Sequence, residues 1–182
     1  GEPLMRKDLG EIISFAKSQG LTTELVTNGL LINERRASKL IEAGLDRICI
    51  SLDAATPCLN DEIRGLKGYY DLTISAIDNL KAMRANSLPE IIIKAVISRR
   101  NVKELMPLAE LTIVKGIDGF CFNFAQTLEK RNFVFNDSFK LNQSDYEQIE
   151  MQISEMMKNF KNILVGKPSH YSAMLESFKN FE

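Results

Sequence analysis

Four short runs rich in β-branched and aromatic residues alternate with segments of helical period, and this alternation constrains the fold more than any other feature of the chain. The runs lie in TTELVTNG, DRICISLDA, EIIIKAVIS and GFCFNF. Before the first, Leu9, Ile12, Ile13, Phe15 and Ala16 fall at helical spacing between Lys7 and Gln19, with Gly20 at the C-cap. Asn33 is placed to cap a helix through ERRASKLIEAG, closed by Gly44. A loop containing Thr56 and Pro57 leads to NDEIRG, and a longer helix follows from about Tyr70 to Ala85. VKELMPLAELTIVKG supplies the last inter-strand helix, where Pro107 is tolerable only near the first turn. Each connection is long enough for a crossover, so the runs are expected to form a parallel sheet of α/β class.

After Phe124 the alternation stops. Seventeen irregular residues, 125–141, lead to helices expected over Gln143–Lys158 and Ser169–Phe178. A loop of that length inside a compact unit is often functional. With no break in composition, residues 1–165 read as one partial core and 166–182 as a helical extension. The chain has 182 residues, 45% apolar and 26% charged, with a net charge of −1. That suffices for a hydrophobic core and gives no electrostatic reason to expect nucleic acid or an anionic membrane. No stretch approaches the roughly 20 apolar residues of a membrane span. Cys49, Cys58 and Cys121 are odd in number and widely spaced, which suggests a reducing cytoplasm. His170 is the single histidine.

Alternation along each strand divides its side chains between two faces. Ile48, Ile50 and Leu52, then Ile91, Ile93, Ala95 and Ile97, then Phe120, Phe122 and Phe124 form an apolar face suited to packing under helices. Thr27, Ser51, Asp53, Lys94, Ser98 and Asn123 are assigned to the other face, mostly near the C-terminal strand ends, where α/β folds bind ligands. Leu25, Ile92 and Val96 are assigned to an inner wall.

Four segments, GEPLMRKDLGEII, TTELVTNGLLIN, RICISLDAATPCLNDEIRG and IIIKAVISRRNVKEL, together resemble the radical S-adenosylmethionine (radical SAM) enzymes, in the branch of twitch and SPASM maturases and molybdenum-cofactor enzymes. The resemblance covers residues 1 to about 105 in the family's order and spacing. It implies a partial (β/α) barrel holding strands three to six of a six-stranded core, followed by C-terminal helices. Gly-Glu-Pro would then be the end of the family's Gly-Gly-Glu-Pro motif, and the chain is expected to begin just after the second barrel strand.

The same resemblance implies the ligand and its contacts. Gly1, Glu2 and Pro3 would meet the ammonium of S-adenosylmethionine, with Thr27 and Asn28 on the same rim. Ser51 and Asp53 would sit near its carboxylate and ribose. Arg64 would pair with the carboxylate, a task suited to a guanidinium fork, and Val96 would pack on the adenine. Lys94, Ser98 and Asn123 would face the substrate. The family also requires a Cys-x-x-x-Cys-x-x-Cys triad for a [4Fe–4S] cluster. Here Cys49 and Cys58 are nine positions apart and Cys121 is on another strand, so no metal ligands are assigned.

The intact enzyme would cleave S-adenosylmethionine reductively to a 5′-deoxyadenosyl radical that abstracts hydrogen from a peptide or cofactor precursor. This chain alone is expected to be inactive and to self-associate through the open edge of its first strand. The alternatives are a non-catalytic module that binds S-adenosylmethionine or another ligand, and an autonomous flavodoxin-like sheet.

Overall fold

The structure is a computed structural model that describes residues 1–125, 139–166 and 168–179. A four-stranded sheet is formed by β1 (Glu24–Thr27), β2 (Arg47–Ser51), β3 (Glu90–Ile97) and β4 (Gly119–Phe124), in the order β1-β2-β3-β4. The β1–β2 and β2–β3 pairs are parallel. At the end of β4, the Ala125 N–H donates to the Ile97 carbonyl at the end of β3 (2.8 Å), so β4 runs in the same direction. This is the sequential, open α/β sheet expected of a partial (β/α) barrel.

The chain divides into two compact units, Gly1–Leu52 with Thr56–Lys94, and Asp53–Ala55 with Ala95–Glu182. The first contains α1 (Leu9–Ser18), α2 (Glu34–Glu42), α3 (Pro57–Arg64) and α4 (Tyr69–Met83). Asn33 caps α2, accepting the Arg36 N–H at 3.0 Å. α4 turns Ala76, Ile77 and Leu80 inward, and all three are buried with Ile48, Ile50 and Ile91.

The expected loop at Thr56-Pro57 is instead the start of α3. Proline at the first helical position gives up no hydrogen bond and presets φ, so a turn signal was here a start signal. Gly65 closes α3 at φ +68°, as a left-handed C-cap requires. Asp61 accepts the Gly68 N–H and the Tyr70 N–H (2.8 Å), both at the head of α4. It therefore caps the helix that follows its own.

In the second unit, a short 3₁₀ turn at Val102–Glu104 leads into α5 (Leu105–Val114), and α6 (Gln143–Asn159) and α7 (Pro168–Lys179) follow. Pro107 lies in the first turn of α5, where its missing N–H costs nothing. Asn142 and Asp145 form a reciprocal capping box at the start of α6. Beside β4, Phe120 exchanges backbone hydrogen bonds with Ile163 (2.7 Å) and Val165 (2.9 Å). A strand edge is a template for unwanted pairing, and this one is occupied by the chain's own backbone. Tyr171 stacks on Phe122 at 4.9 Å and donates its hydroxyl to the Val165 carbonyl (2.7 Å). Burial pushes its phenol well above the usual tyrosine range. Most of the irregular stretch expected over 125–141 lies outside the described residues.

Strand register corrects one assignment of faces. Leu25 and Thr27 pair with Ile48 and Ile50, so they share the buried face, and Val26 stands on the other with Cys49 and Ile92. Thr27 is 2% exposed and Val26 43%. Threonine is small and half apolar, so its methyl can lie among isoleucines provided that its hydroxyl finds partners. Of the supposed inner wall, Leu25 and Ile92 are buried and only Val96 (42%) is open.

Candidate functional site

In the first unit, one carboxylate gathers the end of β1. Glu2 precedes a 3₁₀ turn, Pro3–Met5, and its Oε1 accepts the Leu4 N–H at 3.2 Å. The same oxygen accepts the Thr27 hydroxyl, and Oε2 accepts the Asn28 N–H at 3.0 Å. Thr27 Oγ1 in turn accepts the Gly29 N–H (3.1 Å), and Asn28 Oδ1 accepts the Leu30 N–H (3.0 Å). The buried hydroxyl of Thr27 is thus fully used, which explains how it tolerates the apolar face. Gly29 has φ +79°, and a Cβ there would stand 3.0 Å from Ile50 Cγ2. Only glycine fits that bend without strain.

The carbonyls of Glu2 and Pro3 accept the N–H groups of Met5 and Arg6. Elsewhere in this unit, Ser51 and Lys94 are register partners, half-buried on the same face of the sheet. Arg64 ends α3 with its guanidinium 5.3 Å from the centre of the Tyr69 ring, a cation–π contact.

In the second unit, Asp53 and Val96 are joined directly. Asp53 is 4% exposed, and its Oδ1 accepts the Val96 N–H at 2.8 Å. Val96 keeps its apolar side chain open while its backbone is pinned. Beside them stands Asn101, 1% exposed and passed over in the sequence reading. Its Nδ2 donates to the Asp53 carbonyl (2.7 Å) and the Val96 carbonyl (2.9 Å). Its Oδ1 accepts both the N–H (2.7 Å) and the hydroxyl (3.0 Å) of Ser98. Ser98 is therefore buried with both donors spent, not displayed toward a substrate. Asn123 is exposed. Arg99, which follows Ser98, approaches Asp145 at 3.9 Å, and Arg100 lies 5.1 Å from the centre of the Phe139 ring. Both arginines thus approach residues 139–145. The one signal that could have flagged Asn101 was the Ser-x-x-Asn spacing directly after a strand, which suits a side-chain-closed turn.

Each unit thus carries a polar cluster at a C-terminal strand end, the end at which (β/α) folds place their sites. The family model described as the Radical SAM superfamily matches residues 1–109. This chain belongs to that superfamily. Among curated proteins, it is 30% identical over 161 residues to AdoMet-dependent heme synthase of Methanosarcina barkeri, covering 88% of this chain and 44% of that protein. It is also 30% identical over 144 residues to Fe-coproporphyrin III synthase of the same organism, covering 79% and 35%. The chain thus spans less than half the length of the curated relatives it matches. Among solved structures, Streptococcus suis SuiB bound to its precursor peptide SuiA superposes with a TM-score of 0.70 at 17% identity, covering 92% of this chain and 37% of that one. That likeness shows the fold.

This superfamily implies two groups, S-adenosylmethionine and an iron–sulfur cluster. An open apolar side chain on a pinned backbone, Val96, fits an aromatic base. Among the described residues, no group of three His, Cys, Asp or Glu side chains is placed to hold a metal. Cys49 is buried, Cys58 exposed and Cys121 half-buried. The described residues do not fit an iron–sulfur cluster.

Proposed function

We propose that this chain forms the S-adenosylmethionine-binding part of a radical SAM enzyme acting on a peptide or a haem-type cofactor precursor. The observation that carries the reading is the Glu2 carboxylate, which ties the Gly-Glu-Pro segment to Thr27 and Asn28 at the C-terminal end of β1. When bound, S-adenosylmethionine would supply a 5′-deoxyadenosyl group for hydrogen abstraction from the substrate, given one electron from an iron–sulfur cluster that the described residues do not hold, with methionine as the leaving group.

The residues of this chain bind and orient. Both oxygens of Glu2 are engaged by neutral donors, so its side chain positions the segment. Among the described residues the Gly1 carbonyl has no partner, unlike those of Glu2 and Pro3, which makes it the acceptor best suited to the cofactor's ammonium. Asn28 completes that rim. Asp53 and Ser51 serve the ribose and carboxylate side, with Arg64 as the candidate cation for the carboxylate. Val96 offers its face to the adenine. Lys94 and Asn123 are the substrate-side candidates. The peptide reading is favoured by SuiB and its peptide SuiA, and the precursor reading by the two Methanosarcina relatives.

Residues 1–165 as core and 166–182 as extension, three reduced cysteines in a cytoplasmic setting, and self-association along β1 belong to the same proposal. The last is supported by the position of β1 at one end of the sheet and by the exposure of Val26. Sedimentation at several concentrations tests it, and a monomer throughout would end it. No helix among the described residues is long and apolar enough to cross a membrane.

The test of function compares this chain with a protein that also carries a Cys-x-x-x-Cys-x-x-Cys segment, both reconstituted anaerobically with iron, sulfide and a reductant. The second is expected to release 5′-deoxyadenosine from S-adenosylmethionine, and this chain is expected to show neither cluster absorption nor cleavage. Absence of 5′-deoxyadenosine from the cluster-bearing protein would overturn the enzymatic reading and favour the non-catalytic module.

A further inference from the structure

We infer that Asn101 is the positioning residue of the adenosyl side of this site, acting through the backbone of Val96 and Asp53. The inference rests on the proposed S-adenosylmethionine site and goes beyond it. Asn101 is buried, and its carboxamide makes four hydrogen bonds, two given and two taken.

The pattern favours one orientation of the amide. The nitrogen faces two carbonyls and the oxygen faces the Ser98 N–H and hydroxyl, so rotating the group by half a turn would set like against like at three of the four contacts, the hydroxyl alone being able to reverse its role. The Asn101 N–H also donates to the Ser98 carbonyl (3.1 Å), and the Asn101 carbonyl accepts the Glu104 N–H (2.9 Å), so the backbone that carries the amide is itself closed. Glu104 adds a second tie, its Oε2 accepting the Ala55 N–H at 2.8 Å.

These ties lie where the chain divides. Asp53–Ala55 directly follow β2, yet belong to the unit that contains Asn101 and Glu104, while the residues on either side of the tripeptide belong to the other. Asn101, Glu104 and Asp53 itself all tie the tripeptide to that unit. Asn101 therefore sets where the carboxylate of Asp53 can stand and how the Val96 side chain is presented. A buried polar group with every partner satisfied specifies one geometry, and a partly satisfied one does not.

The experiment uses the intact protein. Binding of S-adenosylmethionine is measured by equilibrium dialysis for the wild type, Asn101→Asp, Asn101→Ala and Ser98→Ala, with binding of L-methionine to the same preparations measured in parallel. Circular dichroism and urea unfolding establish that each variant is folded. Asn101→Asp replaces a donor facing two carbonyls by an acceptor, and is expected to weaken S-adenosylmethionine 30- to 100-fold with less than a 3-fold change for methionine. Ser98→Ala removes one of the two donors to Oδ1 and is expected to weaken S-adenosylmethionine 3- to 5-fold. It remains informative should both Asn101 variants fail to fold.

A purely structural role would lower the urea midpoint while leaving the affinity of the folded fraction unchanged, or would weaken both ligands alike. Either result in a folded variant overturns the inference. Wild-type protein that binds no S-adenosylmethionine would overturn the proposed function instead, and the inference with it.

Discussion

At the end of β1 a carboxylate from the start of the chain collects donors, whereas at the end of β3 a local amide both gives and takes hydrogen bonds. Glu2 reaches Thr27 across 25 residues and needs only N–H and O–H groups around it. Asn101 closes on Ser98 three residues away and on Asp53 across 48, and needs donors on one side and acceptors on the other. The two designs perform the same task, fixing a strand end whose own ladder has run out. They fail differently. A carboxylate that loses one donor still has others, while an amide is either correctly oriented or opposed by its surroundings.

The sharpest way to break this comparison is Glu2→Ala. It deprives the Thr27 hydroxyl and the Leu4 and Asn28 N–H groups of their acceptor, and a stability loss of about 3 kcal/mol is expected, since hydrogen bonds to charged groups are worth about 1.5–3 kcal/mol each. Urea titration reads it, and Glu2→Gln should recover only part of the loss, because one side-chain oxygen is retained while the amide nitrogen is turned toward an N–H donor. An unchanged urea midpoint for Glu2→Ala would mean that β1 ends firmly without the lock.

Asp53→Ala tests the other strand end. It leaves the Val96 N–H without its carboxylate, and about 2 kcal/mol is expected to be lost. Affinity for S-adenosylmethionine should fall more than for Glu2→Gln, because the Asp53 carboxylate is assigned to the ligand, whereas the Glu2 side chain holds the segment that meets it. Equal losses of affinity would erase the distinction between a ligand residue and a lock.

Gly29→Ala probes the bend directly after β1. A positive φ and a Cβ only 3.0 Å from Ile50 Cγ2 together should cost about 1–2 kcal/mol. A neutral result would show that the turn gives way more readily than Glu2 implies.

The smallest effect is expected at Asp46, which pins the entry of β1 as Glu2 pins its exit. Its carboxylate accepts the Lys17 ammonium (2.6 Å) and the Thr23 N–H (2.7 Å). These partners, Lys17 foremost, hold it below the usual aspartate range. A lowered native pKa means that the contribution is complete above the unfolded value of about 3.9 and disappears as pH falls through the native one. The stability difference between wild type and Asp46→Asn, from urea titrations, should therefore be constant above about pH 5 and close as the medium becomes more acid. A difference that persists at the acid end would assign the effect to the amide's geometry and not to charge.

Much of the architecture was legible in the chain alone because it depends on neighbours in sequence. The alternation of strands and helices, the boundaries of β4, the cap at Asn33 and the burial of Ile48, Ile50, Ile91 and Ile93 follow from periodicity and local hydrogen bonding. The Gly-Glu-Pro segment and the order of the four quoted stretches were likewise visible, and with them the superfamily. What tertiary structure decided has long-range causes. Thr27 is polar by composition yet belongs to the buried face, because register with Ile50 outweighs residue type. Asp61 caps a helix whose first turn lies seven to nine residues ahead, and Pro57 opens a helix where a loop was expected, because the same residue types serve turns and helix starts. Asn101 stood unremarked beside two arginines. Its partners lie at the ends of two different strands, and only folding brings two carbonyls and a serine close enough for one amide to join them.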